Sequence, residues 1–180
     1  LEDQGREIVI GPDSMGGLDV TRKVFVPAAG GFARYLEILS NPTGADVTVQ
    51  VEVRSNLGSD EDTRIVVPPS ATNNTYAVTD QQGSCCDPAL GHVFGGPNAP
   101  LGVSATRFVD GDDDIFYRWD VTVPAGQTVI VMTFAVQRDY LPDAAAAQAQ
   151  AATLADLTDL NALAGMSVEE RPEVLNFNIP

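Results

Sequence analysis

Few residues in this chain are equipped for chemistry, and their spacing limits what they could do. His92 is the one histidine, and Cys85 and Cys86 are the two cysteines. A Cys–His dyad needs a stabilised thiolate beside its base, and a net charge of −15 works against that thiolate. Catalysis by this pair is therefore not expected. With no third cysteine, Cys85 and Cys86 are two free thiols, an inter-chain bridge or a vicinal disulfide; adjacent Cα atoms lie ~3.8 Å apart in trans, closer than the ~4.4–6.8 Å of an ordinary disulfide, so the vicinal bridge would be strained and would stiffen its loop. Zinc bound by Cys85, Cys86 and His92 is disfavoured, because neighbouring side chains rarely aim at one tetrahedral centre. Phosphate loops, dinucleotide fingerprints, G-x-S-x-G and H-E-x-x-H are all missing. The expectation is a chain that is not an enzyme and needs no cofactor.

Two further clusters are candidates for binding. Asp110, Asp112 and Asp114 have a D-x-D-x-D spacing, and clustered carboxylates are what Ca²⁺ takes as ligands. The EF-hand template breaks, however, with Ile115 at its glycine position and Val121 at its glutamate position. A solvated hairpin tip is the stronger expectation. The stretch 68–100 holds PPS, NNT, QQGSCCDP and GGPNAP. Apart from a short strand at 75–78 it is long and rich in turn residues, the kind of segment that carries recognition on a rigid scaffold. Tyr76, His92 and Phe94 are its candidate ligand-stacking side chains.

Composition narrows the partners. Ten Lys and Arg stand against 25 Asp and Glu, so phosphate backbones and anionic membrane surfaces are repelled. Nucleic acid is excluded as a partner. Membrane insertion is also not expected, since no apolar run approaches ~18 residues. Seventeen aspartates, eight glutamates and a single lysine, Lys23, depart from the usual Lys–Glu surface and suggest adaptation to high salt. Residues 1–6 show no signal-peptide pattern. The Thr-, Val- and Gly-rich composition, the cysteine pair and one N-x-T sequon at Asn73 nonetheless point to a secreted or cell-surface location.

The elements that must position these residues follow from period-two alternation. In 45–54, Val47, Val49, Val51 and Val53 face one way and Thr48, Gln50, Glu52 and Arg54 the other; in 114–123, Ile115, Tyr117, Trp119, Val121 and Val123 share a face. Residues 128–136 are apolar on both faces, as a covered central strand would be. With Gly, Pro, Asn and Asp turns between them, about nine strands are expected: 7–10, 18–26, 32–39, 46–54, 63–67, 75–78, 102–109, 115–123 and 128–137. Residues 143–164 are alanine-rich, with Leu154, Leu157, Leu160 and Leu163 at helical spacing, and predict one helix closed by Gly165. A capping box at 167–170 precedes about one further turn, and 174–179 is extended. The fold class expected is a mainly β, antiparallel β-sandwich with a C-terminal α-helix packed against it. All of 1–180 is expected to form one domain: an N-terminal segment at 1–17, the sandwich at 18–137, and the helix and tail at 138–180.

The runs FARYLEILSNPTGADVTV at 32–49 and VTVPAGQTV at 121–129 resemble strand–turn–strand units of immunoglobulin-like sandwich repeats in bacterial and archaeal surface proteins. The resemblance spans 18–137 and carries over no functional residue. It implies a non-enzymatic extracellular structural or interaction module of a cell-surface, adhesive or filament protein. Protein partners or self-association through Ile8, Val9 and Ile10 on an edge strand would then be its mode of action. The alternative expectation is a ligand-binding module that takes Ca²⁺ or carbohydrate with the 68–100 loop and the acidic turns.

Overall fold

A computed structural model describes residues 1–83, 87–138 and 143–180. Among them the alternating segments form ten strands: β1 (Glu7–Met15), β2 (Leu18–Phe25), β3 (Phe32–Ser40), β4 (Val47–Asn56), β5 (Thr63–Val67), β6 (Tyr76–Gln81), β7 (Leu90–Val93), β8 (Ala105–Arg107), β9 (Asp114–Val123) and β10 (Thr128–Gln137). They make two antiparallel sheets, a larger one in the order β1-β2-β3-β10-β7-β6-β5 and a smaller one in the order β4-β9-β8. One α-helix, α1 (Ala144–Ala155), follows.

Most of β10, in the larger sheet, is covered on both faces, which is why Val129 to Met132 and Phe134 are all buried. One face meets the smaller sheet. There Leu39, Val129 and Val131 pack against Tyr117, Trp119, Val121 and Val123, with β4 contributing Val47 to Val53 by alternation. Trp119 is fully buried, as its parity predicts. On the other face Leu36, Ile130, Met132 and Phe134 meet Leu154 of α1 and Met166, Val174 and Phe177 of the C-terminal tail.

Several expectations need correction. The strand expected at 75–78 becomes β6, but the rest of 68–100 is not all loop: it supplies a further strand, β7, beside β6 in the interior of the larger sheet. Gly91 had hidden β7, since glycine reads as a breaker. A Cβ at Gly91 would lie 3.1 Å from Val136 Cβ and 3.3 Å from Ala151 Cβ, so the bare backbone lets the alanine face of α1 sit directly on the sheet. The strand at 7–10 runs on to Met15 through an irregularity between Ile10 and Asp13. Gly11 permits it, with φ +101° and a Cβ position only 2.6 Å from the Val20 carbonyl. Only 105–107 of the expected 102–109 strand pairs.

The helix expected over 143–164 stops at Ala155. Asp143 caps its start by accepting the Ala146 amide at 3.0 Å; Pro142 lies outside the described residues. Beyond it Leu157 has φ +54° and Leu160 is 97% exposed, so the leucine spacing does not make a helical face. The helix closes locally, with the Leu157 amide donating to the Leu154 carbonyl at 3.1 Å and the Thr158 amide to the Thr153 carbonyl at 2.9 Å. Arg34 of β3 has no solvent exposure, and its guanidinium donates to the carbonyls of Ala162 at 3.0 Å and Ala164 at 2.7 Å. In a helix running to Ala164 these carbonyls would lie in the last turn, which has no amides of its own to offer them, so Arg34 anchors the turns after α1 and does not itself end the helix. Gly165 still ends the segment, and Ser167 and Glu170 then form the expected reciprocal capping box at 2.9 and 3.1 Å.

The Arg34 guanidinium also donates to Glu7 Oε1 at 3.2 Å and sits 4.7 Å from the centroid of the Phe25 ring. Burial pushes the Glu7 carboxyl up, with Arg34 and Lys23 opposing. The tail then takes the place of a strand where β7 ends. Asn176, also fully buried, accepts from Met132 N at 2.9 Å and donates to the carbonyls of Met132 and Phe94. Removing one member of a buried ion pair strands the other. Arg34→Leu is therefore expected to destabilise the fold by about 3–5 kcal/mol in urea titration. Adding Glu7→Leu should recover part of that loss; a double variant no more stable than the single one would show that the pair is not coupled.

Candidate functional site

The smaller sheet has three strands and the larger has seven, so part of the inner face of the larger sheet is left uncovered. Register sets what lies there. Three rows cross the sheet: Ile10, Arg22, Glu37 and Val131; Ile8, Val24, Tyr35 and Thr133; and Ala33, Ala135, His92 and Ala77. Ala135 is exposed although it stands on the central strand β10, because no strand of the smaller sheet covers it. Ile8 and Ile10 are about half exposed for the same reason. Between these rows and the outer end of β4 lies a cleft of ≈ 510 Å³, bordered by Arg22, Tyr35, Glu37, His92, Tyr117 and Thr133.

The polar groups of the cleft are organised around one ion pair. Arg22 Nε lies 2.8 and 3.1 Å from the two Glu37 oxygens, and its Nη2 lies 2.7 Å from Oε1. Glu37 is almost fully buried while Arg22 is about half exposed, so the carboxylate is anchored and the guanidinium faces solvent. The Arg22 guanidinium is pushed up, chiefly by its hydrogen bond to Glu37. Burial also raises the Tyr117 phenol, with Tyr35 and Glu37 near enough to add to the effect. Among the described residues neither the Tyr35 nor the Tyr117 hydroxyl has a hydrogen-bond partner in the protein. Two phenol hydroxyls and an exposed guanidinium edge are thus free to meet a ligand.

His92 forms the inner wall, with its Nε2 2.9 Å from Thr79 Oγ1. Burial pushes its imidazole down to about 4, which keeps it neutral at physiological pH. It leans on Phe108 at 5.6 Å, the edge of an aromatic cluster that continues through Phe94, Tyr117 and Trp119.

Of the side chains picked out from the 68–100 stretch, only His92 borders this cleft. Phe94 is fully buried between the sheets. Tyr76 packs on the opposite face, against the α1 side. Cys85 and Cys86 lie outside the described residues. Ile8, Val9 and Ile10 pair with Val24, Lys23 and Arg22 of the same chain.

The acidic triplet does not converge. Asp112 is engaged by Arg107 and accepts the Asp114 amide at 2.9 Å. Those bonds hold its carboxyl down at about 2. Asp114 pairs with Arg54 at 2.8 Å, and Asp110 accepts the Ile65 amide. Among the described residues no three His, Cys, Asp or Glu side chains are grouped to hold a metal ion, and no helix is long and apolar enough to cross a membrane.

Sequence reasoning missed Arg22, Tyr35, Glu37, Tyr117 and Thr133 as site residues. A signal was present: Glu37 and Tyr35 share the parity of Leu39, an inward position, and a carboxylate on the buried face of a strand requires a partner.

No protein-family model matches the sequence, and no curated protein matches it. Solved structures similar to it include a protein described as a kojibiose phosphorylase from human microbiome, at 12% identity and TM-score 0.46. The match covers 86% of this chain and 22% of that one. Another is a protein described as an aldose 1-epimerase from Klebsiella pneumoniae, at 12% identity and TM-score 0.44, covering 96% of this chain and 56% of that one. The chain thus spans less than two thirds of either. Both descriptions name carbohydrate-active enzymes and neither names a surface repeat. On that finding the expectation of a non-enzymatic structural, adhesive or filament module is withdrawn, and the comparisons give no ground for excluding enzyme activity. No residue is carried over from either protein.

Two solution experiments follow from this geometry. His92 stays neutral in the fold down to about 4, whereas its ordinary value is 6.5. Between those values the unfolded chain binds a proton that the fold refuses, so stability must fall as pH drops. The His92 contribution amounts to about 3 kcal/mol over the whole window. His92→Gln should show a shallower fall between pH 7 and 4.5 in urea titration; parallel profiles would remove the assignment. Because Asp112 and Asp114 are already matched by arginines, EDTA followed by millimolar Ca²⁺ should leave the melting midpoint unchanged to about 1 °C. A rise of several degrees would instead show Ca²⁺ bound to the native state.

Proposed function

We propose that this chain binds a neutral carbohydrate in the cleft between its two sheets, on a scaffold read as a β-sandwich. The observation that carries the reading is the convergence of the Arg22–Glu37 ion pair with the Tyr35 and Tyr117 hydroxyls, which no described protein group engages. A guanidinium donates, a carboxylate accepts and a phenol does either. That is the mixed set a ring bearing several hydroxyls needs. The aromatic and aliphatic flanks, Tyr35 and Val53 among them, suit the C–H faces of the same ring. A net charge of −15 disfavours anionic ligands, which selects a neutral polyol over a phosphate or carboxylate.

The pair is also pre-organised. Glu37 is fixed by burial and by two contacts to Arg22 Nε, so little side-chain entropy is lost when a ligand docks against the Arg22 edge.

Isothermal titration against glucose, galactose, mannose and their homo-disaccharides should find at least one binder. Arg22→Gln should weaken it by about tenfold or more, the cost of losing a charged hydrogen-bond partner. Tyr35→Phe should weaken it less, with the melting midpoint of the protein held. If no sugar in the panel binds, or if binding is indifferent to Arg22→Gln, the reading fails.

A further inference from the structure

The cleft does not end at Tyr35. A second hollow of ≈ 670 Å³ adjoins it and shares Tyr35, Leu90, Ala135 and Val136 as a common wall. Its own surfaces are Val26, Phe32, Ala33 and Pro88, with Gln137 and Arg138 at the rim. We propose that this hollow is a second subsite and that the ligand is an oligosaccharide of at least two units. The inference rests on the carbohydrate reading of the first cleft.

Register explains why the hollow exists. Ala33 and Ala135 stand opposite one another across β3 and β10, in the row that continues through His92 to Ala77. Two neighbouring alanines on a sheet face leave a depression between the longer side chains around them, and no strand of the smaller sheet fills it. Gln137, opposite Leu90, continues the floor on the parity of Ala135.

The rim is held in place from the other face of the sheet. Gln150 of α1 donates to the carbonyl of Gly30 and accepts from Arg138 Nη1 at 3.0 Å. The Gly31 carbonyl accepts the Gln137 amide at 3.0 Å. The turn joining β2 to β3, which forms one side of the hollow, is thereby tied to both α1 and β10.

The two hollows differ in character in a way that fits one extended ligand. The first offers charged and phenolic hydrogen-bonding groups that fix orientation. The second offers Val26, Pro88, Leu90 and Ala33, which suit the apolar face of a further ring, and an exposed amide, Gln137, for its edge. A single sugar ring occupies only the first. Its next unit would cross Ala135, the low point between Tyr35 and Leu90.

The test compares chain lengths on wild type and on a variant that fills only the second hollow. Titration of wild type with glucose, galactose and mannose, and with maltose, cellobiose, galactobiose and mannobiose, should show one disaccharide at least about tenfold tighter than its monosaccharide. Ala33→Trp should abolish that gain and leave the monosaccharide affinity within about twofold. Gln137→Trp, at an exposed position of the same floor, serves if Ala33→Trp melts at a lower temperature than wild type. A disaccharide no tighter than its monosaccharide, or a gain that survives both tryptophan variants, overturns the second subsite while the first reading stands. If no sugar binds at all, the carbohydrate reading falls and the subsite with it.

Discussion

A fully buried guanidinium governs the outer half of this structure. Arg34 sits on β3 where its neighbours Phe32 and Leu36 face apolar packing, and it must be neutralised and hydrogen-bonded there. Glu7 supplies the charge and Ala162 and Ala164 supply the carbonyls. Those partners come from opposite ends of the chain. The requirement therefore ties β1, near one end of the chain, to the turns that follow α1 near the other. Lys23 extends the same network at the surface, with its Nζ 2.7 Å from both Glu2 and Glu170.

The tail placed by this anchor does the work of a missing strand. β7 is only four residues long and pairs with β10 from Phe134 to Gln137, which leaves the earlier part of β10 open on that side. Leu175 donates to the Ile130 carbonyl, and Asn176 satisfies both backbone groups of Met132. A buried sheet cannot leave such groups unpaired. The outer layer of α1 and tail is thus a structural requirement of the larger sheet, and it holds the rim of the second hollow through Gln150.

The inner face follows the opposite logic. Where β4 and β9 lie over the larger sheet, the interface is closed by valines, Trp119 and an aromatic cluster. Where they do not reach, polar residues occupy inward-facing positions and a cleft results. The mismatch between seven strands and three creates the site, and the ion pair Arg22–Glu37 marks its boundary with the apolar core.

Much of the scaffold was legible in the sequence because alternation reports directly which side of a strand is buried. β4, β5, β9 and β10 follow from it, as does the burial of Trp119 and the capping box at Ser167. β7 was not legible: four residues containing a glycine carry no period, and their place in the sheet depends on α1 packing against Gly91. The end of α1 departs from the helix expected to 164 because Leu157 takes a left-handed conformation, φ +54°, and closes the helix with bonds back to Leu154 and Thr153, which leucine spacing does not announce. Of the site, the sequence by itself picked out His92 and exposed an inward parity for Tyr35 and Glu37. Only the tertiary structure decided that these meet Arg22 and Tyr117, because strand order and the difference in sheet width are set by long-range packing and not by any local pattern.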